Sequence, residues 1–170
     1  KNFISADCIF LDVDNDDTLT EEDWNDPSLW MTIAKFRKAF ADVEHIITPS
    51  KSHRKEKKGR QSRDRFHIYF PLNQLLAGVE EYEEHIQLLV KLFTRPDGIS
   101  WFDTNAVDCA RFFYGRKRGA VISPEHNSGI SILEWMAQHP KIDEIKRQQI
   151  QSSPGTKSIS NKSSDTSIRL

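Results

Sequence analysis

Cys8-Ile-Phe-Leu-Asp-Val-Asp14 is the stretch on which the fold turns. It is apolar and β-branched up to Asp12 and runs into turn-prone Asn15-Asp16-Asp17, which predicts a buried strand ending in acids. Strand side chains alternate between faces, so Cys8, Phe10, Asp12 and Asp14 share one side. The two carboxylates then point the same way, about 7 Å apart along the chain. Hard Mg²⁺ and Mn²⁺ ions prefer carboxylate oxygen and keep positions open for water and phosphate. A pair placed like this can hold two such ions roughly 4 Å apart, flanking the attacking and leaving oxygens of a phosphoryl transfer. The plainer alternative is that Asp12 and Asp14 close a strand in an acidic turn. Against it stands the apolar run Cys8 to Leu11 directly before Asp12, where a carboxylate without a partner is costly.

Outward from this strand, elements of both kinds alternate. Asp26 to Phe40 reads as a helix: Asp26 can cap it, Pro27 suits the first helical position, and Leu29, Ile33, Phe36 and Phe40 recur at helical spacing. Val43 to Thr48 reads as a short strand. Pro49 to Asp64 has almost no apolar residues and contains Gly59, which predicts a solvated loop long enough to be functional. Arg65-Phe-His-Ile-Tyr-Phe70 alternates strictly, and Pro71 is expected to end that strand. Val79 to Phe93 carries the apolar stripe of a helix, with Val79, Tyr82, Ile86, Leu89 and Phe93. Trp101-Phe-Asp103 reads as a strand end, Asn105 to Phe113 as a short helix, Ala120 to Ile122 as an edge strand and Ile130 to Gln138 as a last helix. The expected class is α+β, a small mixed sheet with helices on one face.

Length and composition fit one ordinary domain with a tail. The chain has 170 residues, 37% of them hydrophobic, with ten Phe and four Trp. Residues 1–150 are expected to form the domain and 151–170 a Ser-rich disordered tail or linker. The chain starts at Lys1 with a strand-like run inside its first ten residues, so it reads as a piece of something longer. No stretch approaches the roughly 18 apolar residues of a membrane span, and no secretory pattern opens the chain. Cys8 and Cys109 are the two cysteines, too few for a disulfide framework or a structural zinc site, and a reducing cytoplasm fits them.

A net charge of −1 argues against a generic nucleic-acid coat, but the charge is sorted into blocks. Asp7 to Asp26 holds nine acids and no Lys or Arg. Lys51 to Arg65 holds eight bases (Lys51, Arg54, Lys55, Lys57, Lys58, Arg60, Arg63 and Arg65) against two acids. That block reads either as a solvated surface run or as a contact for nucleic acid or nucleotide phosphates. His67 is either a half-buried core histidine or, with Arg65 on the same polar strand face, a triphosphate contact. Asp103 and Asp108 flank a short predicted helix, with Arg111 three residues beyond the second. Capping and plain exposure would account for both acids.

Taken together, Ile9-Phe-Leu-Asp-Val-Asp14, Arg65-Phe-His-Ile-Tyr-Phe-Pro-Leu72, and Trp101-Phe-Asp103 with Asn105-Ala-Val-Asp-Cys-Ala-Arg-Phe-Phe113 resemble the archaeo-eukaryotic primase superfamily. The likeness is greatest to the primase-polymerase domains of phages, plasmids and related mobile elements. It rests on the order and spacing of three motifs across roughly residues 8 to 122. It implies an RRM-like catalytic core in which Asp12, Asp14 and a third Asp bind two Mg²⁺ or Mn²⁺ ions. Asp103 is preferred as the third, with Asp108 in reserve. The resemblance further implies that His67 contacts the phosphates of the incoming nucleotide, with Arg111 as a second contact. Where the family has Ser-x-His, this chain has Arg65-Phe66-His67, and Ser52-His53 upstream competes for the role.

The implied activity is template-directed joining of nucleoside triphosphates on single-stranded DNA, in DNA replication. The domain often precedes a helicase in this family, and the Ser-rich tail would suit a linker to one. Two other readings stay open. A two-metal nuclease could use the same carboxylates, and a catalytically inactive module could grip nucleic acid through the basic block.

Overall fold

Strand β1 spans Ser5–Val13, so the apolar run before Asp14 does form a strand. The structure is a computed structural model describing residues 3–15, 25–57, 59–109 and 125–152. After β1 come α1 (Ile33–Ala39), β2 (His45–Pro49), β3 (Phe66–Ala77), α2 (Val79–Leu92), β4 (Glu125–Asn127), α3 (Ile132–Gln138) and α4 (Pro140–Ser152). Single 3₁₀ turns occupy Pro27–Leu29 and Thr104–Ala106. The result is an α+β fold, a four-stranded sheet of order β1-β3-β2-β4 with four helices packed on it.

The expected mixed sheet is antiparallel instead at every named pairing. β1 and β2 do run in the same direction, but they are not neighbours. The crossover through α1 leaves a gap one strand wide, and β3 returns to fill it, antiparallel to both. Pro71 does not end β3, which continues to Ala77. The ladder is instead irregular beside the proline: Cys8 faces Pro71, and the register shifts between Ala6 and Cys8.

The single helix expected from Asp26 to Phe40 is two pieces. Asp26 accepts from the Ser28 N–H at 2.8 Å and starts only the 3₁₀ turn, after which Trp30 is extended. The chain restarts at Thr32, whose hydroxyl oxygen accepts from the Lys35 N–H at 3.1 Å. The break has a distant cause. Asn15, just past β1, donates from Nδ2 to Met31 O at 2.9 Å and accepts from the Met31 N–H at 2.9 Å. With both its backbone groups taken by a side chain, Met31 cannot sit in a helix, and its own side chain goes to the core. Asn15 itself has a φ of 56°, a left-handed conformation that asparagine tolerates better than most residues.

The core lies on one side of the sheet. Ile9, Leu11, Val13, Ile47, Phe66, Ile68 and Phe70 meet Phe36 and Phe40 of the α1 region, Ile86 and Leu89 of α2, and Ile132 and Met136 of α3. Trp101-Phe-Asp103 is not a strand end. Phe102 is buried against Phe93, ring centroids 5.5 Å apart, and the segment bends past the free edge of β1. The helix expected from Asn105 to Phe113 is only a 3₁₀ turn as far as residue 109, and its remainder lies outside the described residues. So do the strand expected at Ala120 to Ile122 and residues 153–170 of the tail. Two elements had no counterpart among the expectations, β4 and α4. No helix among the described residues is long and apolar enough to cross a membrane.

Candidate functional site

The period of two along β1 sends Ile9, Leu11 and Val13 to the core and turns Asp12 to the opposite face. The same alternation on β3 buries Phe66 and Ile68 and turns out His67. Asp12 and His67 are register partners, and His67 Nε2 lies 3.6 Å from Asp12 Oδ1. Phe10 packs edge-on to Tyr69 beside them, at a centroid distance of 4.8 Å.

Asp14 follows one residue after the strand. Its Oδ2 accepts from Lys57 Nζ at 2.5 Å, and its Oδ1 lies 3.4 Å from Arg65 Nε. The third acid is placed by the backbone. The Asp103 N–H donates to Asp12 O at 2.9 Å, so the bend after Phe102 is stitched to the outer edge of β1. Asp103 also caps its 3₁₀ turn, accepting from the Asn105 N–H at 2.8 Å. Burial raises the Asp12 carboxyl, and the charges of Asp14 and Asp103 push it further, to about 7. Lys57 pulls the other way without offsetting them. Burial also lowers His67, so burial disfavours a charge on either partner of the Asp12–His67 contact. Asp108 lies among the groups around Tyr82, whose hydroxyl is pushed up to about 12 by burial first and then by Cys8, Cys109 and Asp108.

The basic block is not the solvated loop expected of it. His53, Arg63 and Arg65 are 7%, 2% and 0% exposed. Arginine can be buried when its fork meets acceptors, and here it meets backbone carbonyls. Arg65 Nη1 donates to Ser52 O at 3.1 Å and Lys55 O at 2.9 Å. Arg63 Nη1 donates to Asn15 O at 2.9 Å, and its guanidinium carbon stands 4.5 Å above the Trp30 ring. His53 Nδ1 faces the Arg65 backbone, 3.2 Å from its N and 2.9 Å from its O. Asp64 accepts from the Ile33 N–H at 3.0 Å and from Arg54 Nε at 3.1 Å. The loop is therefore a folded cover over the end of β1.

That sorts the expected contacts. Arg63, Arg65 and His53 are buried structural groups in this arrangement, and their side chains face the protein rather than an open phosphate site. Ser52 is half-buried with its hydroxyl 3.3 Å from that of Ser50. Lys51, Arg54 and Lys55 are exposed, and Lys57 and Arg60 are half-buried. Lys58 and Arg111 lie outside the described residues. The sequence reading missed the meeting of Lys57 with Asp14 and the role of Asn15; the αL-tolerant Asn at a strand end was the one available signal for the latter.

Carboxylate oxygens such as those of Asp12, Asp14 and Asp103 suit a hard divalent cation by donor chemistry. Among the described residues, however, no three His, Cys, Asp or Glu side chains stand in a ready-made metal cage. Asp14 is turned toward Lys57 and Arg65, and Asp12 toward His67. Burial and the charge of Asp7 push the Cys8 thiol up to about 11, which suits neither a nucleophile nor a metal ligand at neutral pH. Compared with protein-family models, with curated proteins and with solved structures, the chain gives no match.

Proposed function

We propose that this chain is a template-directed nucleotidyltransferase of the primase-polymerase kind, joining nucleoside triphosphates on a single-stranded DNA template. What supports the reading is that Asp14 and Asp103 lie near enough to Asp12 to raise its carboxyl, with the Asp103 backbone bonded to Asp12 O, Lys57 and Arg65 on Asp14, and His67 beside Asp12. These are the acids and the histidine of the three motifs, and Asp12 and Asp103 stand 91 positions apart in the chain. The finer expectation of an RRM-like primase core belongs to the same proposal. What supports it is the β1-α1-β2 crossover with β3 between the two parallel-running strands.

In this reading Asp12, Asp14 and Asp103 would hold Mg²⁺ or Mn²⁺, which would neutralise charge developing on the reacting phosphate. The chain's own contribution is positioning. β1 would carry Asp12 with Asp14 just past its end, the Asp103–Asp12 backbone bond would bring in the third acid, and β3 would present His67 beside Asp12. The exposed bases Lys51, Arg54 and Lys55 would track the phosphates of template or nucleotide. A helicase as neighbour or partner is part of the same proposal.

The test is synthesis. The protein is incubated with Mn²⁺ or Mg²⁺, a single-stranded template and labelled triphosphates, and oligomers are sought on a gel. Asp12→Asn and Asp14→Asn should each cut synthesis by about a hundredfold or more. Release of nucleotides from the template without use of triphosphates would instead mark a nuclease. Template affinity with no turnover would mark a binding module.

A further inference from the structure

His45 and Asn127 stand directly opposite each other on β2 and β4, so their side chains share one face of the sheet. Both are anchored on one atom. The carbonyl oxygen of Val43 accepts from His45 Nδ1 and from Asn127 Nδ2, each at 2.9 Å, and Nδ2 also donates to Ala41 O at 3.0 Å. The turn that carries these carbonyls is itself pinned. The Glu44 N–H donates to Ile130 O and the Ile130 N–H to Asp42 O, both at 2.8 Å. Gly129 permits that close approach, since a Cβ there would stand 2.3 Å from Asp42 O. The His45 ring meets Phe36 edge to face at a centroid distance of 5.0 Å, and only 2% of the residue is exposed.

A carbonyl can only accept, so Nδ1 carries the ring proton and Nε2 keeps a lone pair. Burial lowers His45 most, and Arg37 and His126 lower it further against the pull of the Val43 bond, so the ring is neutral near pH 7. In the same way the two carbonyls claim Asn127 Nδ2, which leaves its Oδ1 as an acceptor. Neither Nε2 nor Oδ1 has a hydrogen-bond partner among the described residues. Both residues line a cleft of about 330 Å³, to which Ala41 and Ile47 add apolar wall and Arg37 and His126 add base. Apolar walls with a few fixed polar atoms are the make-up of a small-molecule site. We infer that this cleft binds the edge of a neutral planar base carrying two adjacent N–H donors, as guanine does, with His45 Nε2 and Asn127 Oδ1 as its acceptors. Two acceptors set close together by a shared anchor call for two donors set close together. A cationic donor is disfavoured, because Arg37 and His126 already act on His45 as positive charge. Guanine offers N1–H and its 2-amino group on one edge, whereas adenine, cytosine and uracil each place an acceptor next to a donor there. His45 packs on the helix side of the sheet and Asp12 faces the other side, so this site stands apart from the acidic end of β1 and does not depend on it.

The test is an NMR titration of the whole protein near neutral pH with guanosine, inosine and adenosine, following the ring nitrogens of His45. Guanosine should bind about tenfold tighter than inosine, which lacks only the 2-amino donor. It should also move the Nε2 signal while Nδ1 stays protonated, and adenosine should do neither. His45→Phe keeps a ring against Phe36 and should weaken guanosine about tenfold or more. A single-stranded oligonucleotide with one guanine then separates two sources of the same edge. Equal affinity marks a pocket for a free nucleoside and tighter binding a guanine read within a strand, and either upholds the acceptor pair. Guanosine that binds no tighter than inosine, or that leaves Nε2 unmoved, overturns the assignment. So does a parent that binds no guanosine at millimolar concentration. These readings are made on the parent, so they decide the matter even where His45→Phe does not fold.

Discussion

On the helix-facing side of β1 and β3, Ile9, Leu11, Val13, Phe66, Ile68 and Phe70 are each 2% exposed or less. On the other side of the same two strands, Asp12, His67 and Tyr69 keep part of their surface in water. Nothing but the alternation of side chains separates the two sets. The apolar set fixes the register, because a slip of one residue would turn the core residues outward. The register then fixes the chemistry: with Ile68 opposite Leu11, His67 has to stand opposite Asp12. Tight packing on one face is thus what holds the polar groups of the other in place, without those groups adding much to stability themselves.

The contrast is broken most severely by a cut on the packed face. Phe70→Ala removes a fully buried ring that meets Phe36, Phe40 and His45. It should cost about 3–5 kcal/mol in urea unfolding. His67→Ala, one face over and three residues earlier, should cost roughly 1 kcal/mol or less in the same measurement. Equal losses at the two positions would show that the site face carries the fold as much as the core does.

A smaller effect is expected where the two faces are tied together, at the turn after β1. Asn15→Ala leaves the Met31 N–H and the carbonyls of Met31 and Asp64 without their side-chain partner. It also puts alanine at a φ of 56°. The loss should be about 2–3 kcal/mol, and Asn15→Gly, free of the backbone strain, should recover roughly 1 kcal/mol of it. Thermal or urea unfolding of the two variants side by side settles the matter, and an alanine variant as stable as the parent would mean the clamp is idle.

The two faces also differ in how well they could be read from the residues. Periodicity placed β1, β2, α2 and α3 to within a few residues, and alternation was enough to turn Asp12 and His67 away from the core. These are local properties of the chain. What escaped was set by distant contacts. The helix expected over Asp26 to Phe40 is interrupted by an asparagine 16 residues before Met31, and the ammonium on Asp14 comes from 43 residues away. Arg63 and Arg65 looked like surface charge because their acceptors are backbone carbonyls, which no composition reveals. The segment Trp101 to Asp103 was apolar enough for a strand, yet β1 needed only one hydrogen bond from it. Pattern gave the faces. The folding of the basic block over them depended on which loop met which strand end.

The gentlest change sharpens the comparison from the site side, where a residue should weaken the fold rather than support it. In the metal-free protein Asp12 is raised from 3.8 to about 7, by burial first and by Asp14 and Asp103 after it. A carboxyl raised by folding binds more protons in the native state than in the unfolded one between those two values. Native stability from this group is therefore fully present below pH 4 or so, falls as the pH rises, and is lost above about 7. Asn cannot ionise, so Asp12→Asn should match the parent near pH 4 and outlast it at pH 8. The full shift would amount to roughly 4 kcal/mol, but 21% of the side chain is in water, so a gain of about 2 kcal/mol is expected. Melting of parent and variant in chelator at pH 4.5 and pH 8 (roughly half a unit above the ordinary carboxyl value and one above the raised one) isolates this single titration from all the others. Adding Mn²⁺ at pH 8 should then raise the parent and leave the variant nearly unmoved, since the ion supplies the charge that Asp12 lacks in its metal-free surroundings. If Asp12 instead supports the fold as the ionised partner of His67, the order reverses, and the variant melts below the parent at pH 8 with or without the metal.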